Sequence, residues 1–555
     1  MYGSISIPST GRHNHCTEMF PRTTLCLALI ACLNIAATAS QSSFESTECS
    51  EDSEKIAINW TDASTVLGRP DTYLGKLAVP LDYTLPQSKN NTLTLNILKV
   101  KATKEPKLGS VLTNWGGPGL PATDWLLQQA RYVLAMTGGQ YDIIGPDPRG
   151  TGTTMPVDCY NDEMERMVAT LRTPTRTNSS EVALGAVWSY TKQYAARCFQ
   201  NEAVTGSLMS TAFVARDFMK VVDALTVEGE DGLLRYWGIS YGTYLGQVLA
   251  AMFPDRVERM MLDGVLNPLE YQQGWETGPA ESAPAALGQF TKQCIDAGPS
   301  CPLFRPNISS DSLYDQILHL GEEAKREPIV IGPNVTTDIV TYEKIAEASD
   351  TALRMGLASG SYLAGYLNSI MIRDTPEYDH TQYVVNRSFI IMDAAINADN
   401  TQLIRCSDAM FRADELADIK ERVQHITELG DWSSDYTIGA YILCSLWKVK
   451  AKERYEGDFQ AKTKNPVLLI GSPYDVRTPI SGAYAANKTL EGSVVLQHDG
   501  LGHTVMYSPG ACAITATAAY FVNGTMPEEG TVCEQDFGIF SGKSLNDTLN
   551  LLGEP

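Results

Sequence analysis

Between residues 233 and 253 an apolar strand-like run passes through Gly238-Ile239-Ser240-Tyr241-Gly242 directly into an apolar helix-like run, which Pro254 ends. Five residues leave no room for a loop, so the chain must turn from strand to helix about Ser240. Such a turn belongs to a layered sheet with helices packed on it. It forces the serine backbone into a strained conformation, and the flanking glycines let neighbouring backbone approach without a Cβ clash. The hydroxyl then projects beyond the strand's carboxyl end. The Tyr241 N–H, in the first helical turn, has no partner within the helix and can face negative charge.

The surrounding pattern agrees with that layering. Strand-like segments occupy 75–82, 92–101, 110–114, 141–145 and 260–265, with clear alternation at Leu93, Leu95, Ile97 and Lys99. Residues 210–225 carry apolar side chains at helical spacing: Phe213, Val214, Phe218, Val221, Val222 and Leu225. Strands alternating with helices predict a mainly parallel sheet flanked by helices. The alternation breaks after residue 265, 266–464 reads as mostly helical, and buried-type strands resume at 466–470 and 493–497. An insertion of about 200 residues between two strands of one sheet predicts a cap over the strand ends, where open α/β sheets bind ligands. The expected organisation is a signal segment at 1–40, an α/β core at 55–265, a helical cap at 266–464 and the rest of the core at 465–555.

Ser240 calls for a base, an acid and oxyanion donors. After the second resumed strand, Gly500-Leu501-Gly502 leads to His503; after the first, Gly471-Ser472-Pro473-Tyr474 leads to Asp475. An imidazole there would take the hydroxyl proton while the carboxylate holds its tautomer. Asp263, directly after the strand-like run 260–262, is the rival acid, and Asp499 lies too near His503 in sequence. Asp142 and Asp147 are expected to organise their own loop with Arg149. Among the seven histidines, His13 and His15 precede the signal, His319, His380 and His425 fall in the cap, and His498 belongs to the last strand. For the oxyanion, the Tyr241 amide needs a partner from Asn114-Trp115-Gly116-Gly117-Pro118-Gly119. Gly117 is the first choice and Gly116 the second, while Pro118 has no N–H to give.

The formal net charge of -22 repels a polyanion and argues against a nucleic-acid partner. Arg22, the apolar run 25–33 and Ala37-Thr38-Ala39 read as a cleaved secretory signal, too short to span a bilayer. Translation from Met19 is an alternative. The expected location is extracellular, with no stable membrane association once the signal is removed; a retained signal would act as an anchor. Nine N-x-S/T sequons, Asn59, Asn90, Asn178, Asn307, Asn334, Asn386, Asn487, Asn523 and Asn546, fit a eukaryotic glycosylating route. Proximity along the chain suggests the disulfides Cys159–Cys198, Cys294–Cys301, Cys406–Cys444 and Cys512–Cys533, leaving Cys49 over. No CxxC or HExxH zinc signature occurs, and neither metal nor cofactor is expected.

Taken together, Gly116-Gly117-Pro118-Gly119, Asp147-Pro148-Arg149-Gly150-Thr151-Gly152, Gly238-Ile239-Ser240-Tyr241-Gly242-Thr243, Leu262-Asp263-Gly264-Val265 and the turns bearing Asp475 and His503 resemble the tripeptidyl and prolyl aminopeptidase branch of α/β-hydrolases. Residues 290–303 with Cys294 and Cys301, and the end with Cys512 and Cys533, look like its longer secreted members with a TAP-like C-terminal region. The resemblance implies a Ser240–His503–Asp475 triad acting on peptides or amides with a free N-terminus. Such a substrate needs cap carboxylates for its ammonium group, for which Glu276 and Glu281 are candidates. The Asn114-Trp115 prefix and Leu120-Pro121 depart from the usual Gly/Ser-rich versions. Hydrolysis of a small ester, lactone or amide is the alternative, and an inactive binding module a third.

Overall fold

In the computed structural model, residues 57–553 are described apart from 89, 175, 333–337, 375–398 and 431–433. The expected signal segment, Cys49, His380 and the sequons Asn334 and Asn386 lie outside the described residues.

Strands β1 (Asn59–Asp62), β2 (Thr72–Pro80), β3 (Thr92–Val100), β4 (Ser110–Asn114), β5 (Asp142–Pro146), β6 (Leu234–Ile239), β7 (Val257–Asp263), β10 (Leu468–Gly471), β11 (Val494–Asp499) and β12 (Val532–Glu534) form one sheet, in the order β1-β2-β3-β5-β4-β6-β7-β10-β11-β12. From β5 to β12 all neighbours are parallel; β1, β2 and β3 pair antiparallel with one another, and β3 antiparallel with β5. Every residue of β4, β5 and β6 is buried, as strands covered on both faces must be.

Helices supply the cover. Thr211–Val227 and Tyr241–Met252 place Phe218, Val221, Leu245 and Val248 in the core on one face. Ala122–Met136 and Ala511–Asn523 place Leu126, Val133, Ile514 and Phe521 on the other. The Ser210 hydroxyl accepts the Phe213 N–H and starts the first of these helices. The chain is thus an α/β-hydrolase fold with a mostly parallel sheet flanked by helices.

Between β7 and β10 the chain makes helices Pro268–Gln273, Gly278–Ala297, Ser310–Arg326, Tyr342–Met355, Gly360–Ile372, Ala417–Leu429 and Ser434–Ser445, and a hairpin of β8 (Ile329–Ile331) and β9 (Asp338–Val340). The last two helices send Ile419, Ile426, Ile438 and Ile442 into the main core. The middle helices build a second core around Phe290, Leu320, Leu353 and Leu367, which also takes in Val476 and Leu501 from loops after β10 and β11. Four disulfides are present: Cys159–Cys198 and Cys406–Cys444 within the main core, Cys294–Cys301 within the second core, and Cys512–Cys533 between the Ala511–Asn523 helix and β12. Cys159 and Cys198 also lie close to Asp399, but sulfurs joined to each other are not metal-binding thiolates. No helix among the described residues is long and apolar enough to cross a membrane.

Candidate active site

Ser240 directly follows β6, with φ 56° and ψ -124°, a conformation L-residues rarely take. Its N–H donates to Asp263 O across the sheet (3.0 Å). The Thr243 hydroxyl locks the turn by donating to Ser240 O (2.6 Å) and accepting the Leu266 N–H (2.9 Å). A Cβ on Gly238 would stand 2.3 Å from Gly242 O, and one on Gly242 2.4 Å from Asn114 O. Both glycines are therefore required for strand, helix and the end of β4 to meet. Ser240 itself is half-buried, and among the described residues no hydrogen bond engages its hydroxyl.

Gly116 and Gly117 have φ 86° and 100°. A Cβ on Gly116 would fall 2.9 Å from Ser240 Cβ and 3.1 Å from Tyr241 N, so this loop lies against the serine. The Gly116 N–H donates to Asn114 Oδ1 (3.0 Å), which removes it as an oxyanion donor and corrects that expectation. The Gly117 and Tyr241 amides remain as the pair suited to receiving charge.

The strand order carries the other groups to the same end of the sheet. β7 and β10 are the next strands after β6, and the Gly264 N–H donates to Ile470 O (3.0 Å). Asp475 follows β10 and His503 follows β11. His503 Nδ1 lies 3.0 Å and 2.9 Å from the two Asp475 carboxylate oxygens. That geometry directs Nδ1–H toward the acid and leaves Nε2, among the described residues, without a hydrogen bond. Asp475 is fully buried and also accepts the Arg477 N–H (2.8 Å), the Thr478 N–H (3.1 Å), the Thr478 hydroxyl (2.9 Å) and the Thr504 N–H (3.2 Å). Burial opposes its charge, but the His503 ring and these donors outweigh burial and hold its pKa below the usual carboxylate value.

Asp263, the rival acid, has the opposite environment. It is 1 % exposed and, among the described residues, receives only the Val505 N–H (3.3 Å to each oxygen). Burial, reinforced by the neighbouring Asp475 charge, pushes its pKa up to about 8, so it is neutral near pH 7. Gly264 separates these groups: a Cβ there would fall 2.7 Å from Thr478 Oγ1 and 3.5 Å from Asp475 Oδ2.

Thr478 is a site residue that the sequence reading missed. Its hydroxyl bonds Asp475 Oδ2 and lies 3.2 Å from His503 Nδ1. No motif marks a threonine three residues beyond an acid. Arg149 was also misassigned: its guanidinium forks onto Asp217, fully buried, at 2.7 and 2.8 Å, and not onto Asp142 or Asp147. Asp147 instead holds the Thr123 N–H (2.9 Å) at the start of the Ala122–Met136 helix. His498 is buried with Nε2 on Ser508 O, and Asp499 accepts the Gln497 amide (2.7 Å).

Glu276 and Glu281 both line a cavity of ~120 Å³ with Glu270, Arg477, Thr478 and Pro479. Glu276 is buried in an ion pair with Arg405, so its charge is already committed, a correction to its expected role. Glu281 is exposed and Glu270 half-buried. Burial raises the Glu270 pKa, and the Glu276 and Glu281 charges add to the rise.

The fold, with a strained serine at one strand end and a buried carboxylate–imidazole pair at strand ends beyond it, defines an α/β-hydrolase of the serine-hydrolase class. The family described as alpha/beta hydrolase fold matches residues 116–288, and the family described as TAP-like protein matches residues 431–533. The chain thus carries an α/β-hydrolase domain and a TAP-like C-terminal region. It is 26% identical to a tripeptidyl aminopeptidase of Streptomyces lividans over 86% of this chain and 87% of that one. It is also 26% identical to the serine protease Hip1 of Mycobacterium tuberculosis, over 83% and 86% of the two chains. A protein named carboxylesterase B, from the same organism, matches at 26% over 82% and 85%.

Proposed function

We propose that this protein is a secreted serine exopeptidase that removes residues or short peptides from free N-termini through an acyl-enzyme. Ser240 is the nucleophile. His503 Nε2 takes its proton as the hydroxyl attacks the scissile carbonyl, and Asp475 stabilises the imidazolium that forms. The Tyr241 and Gly117 amides receive the oxyanion. Collapse of the tetrahedral intermediate returns the proton to the leaving amine; a water, deprotonated by the same imidazole, then releases the acyl group. The observation that carries the reading is the two-oxygen grip of Asp475 on His503 Nδ1 at the sheet end where Ser240 stands strained.

The 266–464 insertion acts as the cap that admits a chain end and keeps folded proteins out. Glu281, with Glu270 behind it, is the anionic wall of the adjoining cavity, suited to an ammonium group. Secretion is supported by the four disulfides and by exposed sequon asparagines at 59, 90, 307, 523 and 546. Asn178 and Asn487 are half-buried, and the Asn487 amide nitrogen is engaged with Ser493 (2.8 and 2.9 Å), which makes it the poorest acceptor for a glycan.

The test is turnover of aminoacyl, tripeptidyl and simple ester chromogenic substrates by wild type and Ser240→Ala. The proposal expects the peptidyl substrates with a free amine to be preferred and the variant to lose about 10⁴-fold or more in kcat. Blocking the substrate's amine without loss of rate would refute the exopeptidase assignment. A second reading, hydrolysis of a small ester, lactone or amide, is favoured by the similarity to a protein named carboxylesterase B. It predicts the opposite substrate order with the same triad. Failure of wild type to turn over any substrate or to be labelled at Ser240 would leave the inactive binding module.

A further inference from the structure

One inserted helix, Tyr342–Met355, touches both loops that carry the acid and the base. From its middle, Asp350 takes both terminal nitrogens of Arg477, one at 2.7 Å, in an ion pair that is nine-tenths buried on the acid's side. Arg477 is two residues past Asp475, and its own N–H donates to Asp475 Oδ1 (2.8 Å). From the helix end, Arg354 O accepts the His503 N–H (2.8 Å). Gly356, the next turn, lies so close to the base's loop that a Cβ there would stand 2.1 Å from Leu501 O and 2.7 Å from Tyr507 O. The second core continues the contact through Val476 and Leu501, the neighbours of Asp475 and His503 in sequence. Nothing in the hydrolytic steps needs these bonds directly. Their placement still means that the geometry of the acid–base pair is set from the insertion as well as from the sheet.

The Asp350–Arg477 pair has a specific chemical consequence. Arg477 is a cation beside the carboxylate that must serve an imidazole. A guanidinium forks readily onto a carboxylate, and Asp475 presents two oxygens to His503 in the manner such a fork would take. Asp350 supplies an alternative partner in the same buried junction, and so leaves Asp475 to the ring. The titratable and charged groups round the junction are Asp475 and Arg477 after β10, His503 after β11, Asp263 at the end of β7, Asp350 and Arg354 on the helix, and Arg176, whose charge also acts on Asp350.

We propose that Asp350 is a positioning residue of the hydrolytic site: it sequesters the Arg477 guanidinium and thereby reserves the Asp475 carboxylate for His503. The inference rests on the triad reading above. It implies an asymmetry between the two partners of one salt bridge. Asp350→Asn frees the guanidinium to compete for Asp475, whereas Arg477→Gln removes the competitor altogether.

The experiment compares wild type, D350N, R477Q and the double variant by thermal melting, by pH profiles of kcat/KM on the best substrate found, and by the rate of fluorophosphonate labelling at Ser240. D350N is expected to lose about tenfold or more in kcat and in labelling rate with KM within about twofold, the pattern of a lost transition-state interaction. Its acidic limb is expected to move to lower pH, because an imidazole deprived of its carboxylate holds a proton less well. R477Q and D350N/R477Q, which also alter the lining of the cavity that holds Glu281, are expected to change KM but to keep kcat and labelling rate within about threefold of wild type, with the limb unmoved. Equal losses in D350N and R477Q with unchanged pH profiles would overturn the proposal and reduce the pair to a brace. If D350N does not fold, the double variant, which carries no orphaned charge, decides: a loss beyond about tenfold with a shifted limb overturns it. Labelling separates the two levels of the claim. Wild type that never labels at Ser240 overturns the triad and this proposal together, while wild type that labels at the same rate as D350N overturns this proposal alone.

Discussion

At the scale of single residues, the two aspartates at adjacent strand ends show how environment assigns roles. Asp475 and Asp263 are both buried, but only Asp475 gathers an imidazole and four further donors. Asp475→Asn is expected to cost about 10⁴-fold in kcat, because the amide would favour the wrong imidazole tautomer. Asp263→Asn is expected to leave kcat/KM within about threefold and to act on stability instead. The Asp263 pKa is raised on folding to about 8, so its contribution is complete below the unfolded carboxylate value near 3.8 and is lost as pH rises through about 8. The melting temperature of wild type should therefore fall over that window more than that of the variant; equal slopes would contradict the assignment. Thr478→Val removes a hydroxyl from Asp475 Oδ2 and should lower kcat about tenfold at nearly constant KM. What the sequence made legible here was position: Ser240, Asp475 and His503 each follow a strand-like run. Partners were not legible when they came from far along the chain. Glu276 meets Arg405 across 129 positions and Arg149 meets Asp217 across 68, and no local pattern encodes either.

At the scale of elements, the β6 turn illustrates the cost of close approach. Gly242→Ala would place a methyl against Asn114 O at 2.4 Å and push the Tyr241–Met252 helix away from β4. Loss of activity and about 1–3 kcal/mol of stability are expected, read by substrate turnover and by denaturant titration. The start of the Thr211–Val227 helix is tied to the insertion in a similar manner. Asp408 accepts the Thr211 N–H (3.0 Å) and hydroxyl, and that hydroxyl also meets the Tyr241 phenol. Elements with strong periodicity were readable within a few residues. Thr211–Val227 was expected at 210–225 and β3 at 92–101. Helices Glu163–Arg172 and Ala183–Gly206 were not anticipated; the first carries Met164, Met167, Val168 and Leu171 at helical spacing but leaves them exposed and buries only Arg166. Strands β1 and β12 were missed for another reason. Four and three residues are too few for alternation to show, and their pairing comes from the sheet edges they extend.

At the scale of the whole molecule, two sets of groups set the conditions under which it holds together. Asp147, Asp263 and Asp408 have pKa values pushed up by burial to about 6, about 8 and about 7. All three favour the folded state in their protonated form, so stability should be greater at mildly acidic pH and decline toward pH 8, in thermal melts across that range. The disulfides act on the unfolded chain. Cys159–Cys198 and Cys406–Cys444 close separations of 39 and 38 residues, each worth roughly 4 kcal/mol of chain entropy. Reduction should lower the melting temperature sharply, and alkylation after reduction should prevent its recovery.

The order of strands also bears on how the protein is made. β7 is completed at residue 263, but its neighbour β10 begins at 468. A ribosome adding roughly 5–20 residues per second needs about 10–40 s to bridge that gap. Throughout that interval the nascent polypeptide exposes a bare, apolar β7 edge, and the half bearing Ser240 has neither acid nor base. A product stopped before residue 468 should be inert and should accumulate in the insoluble fraction.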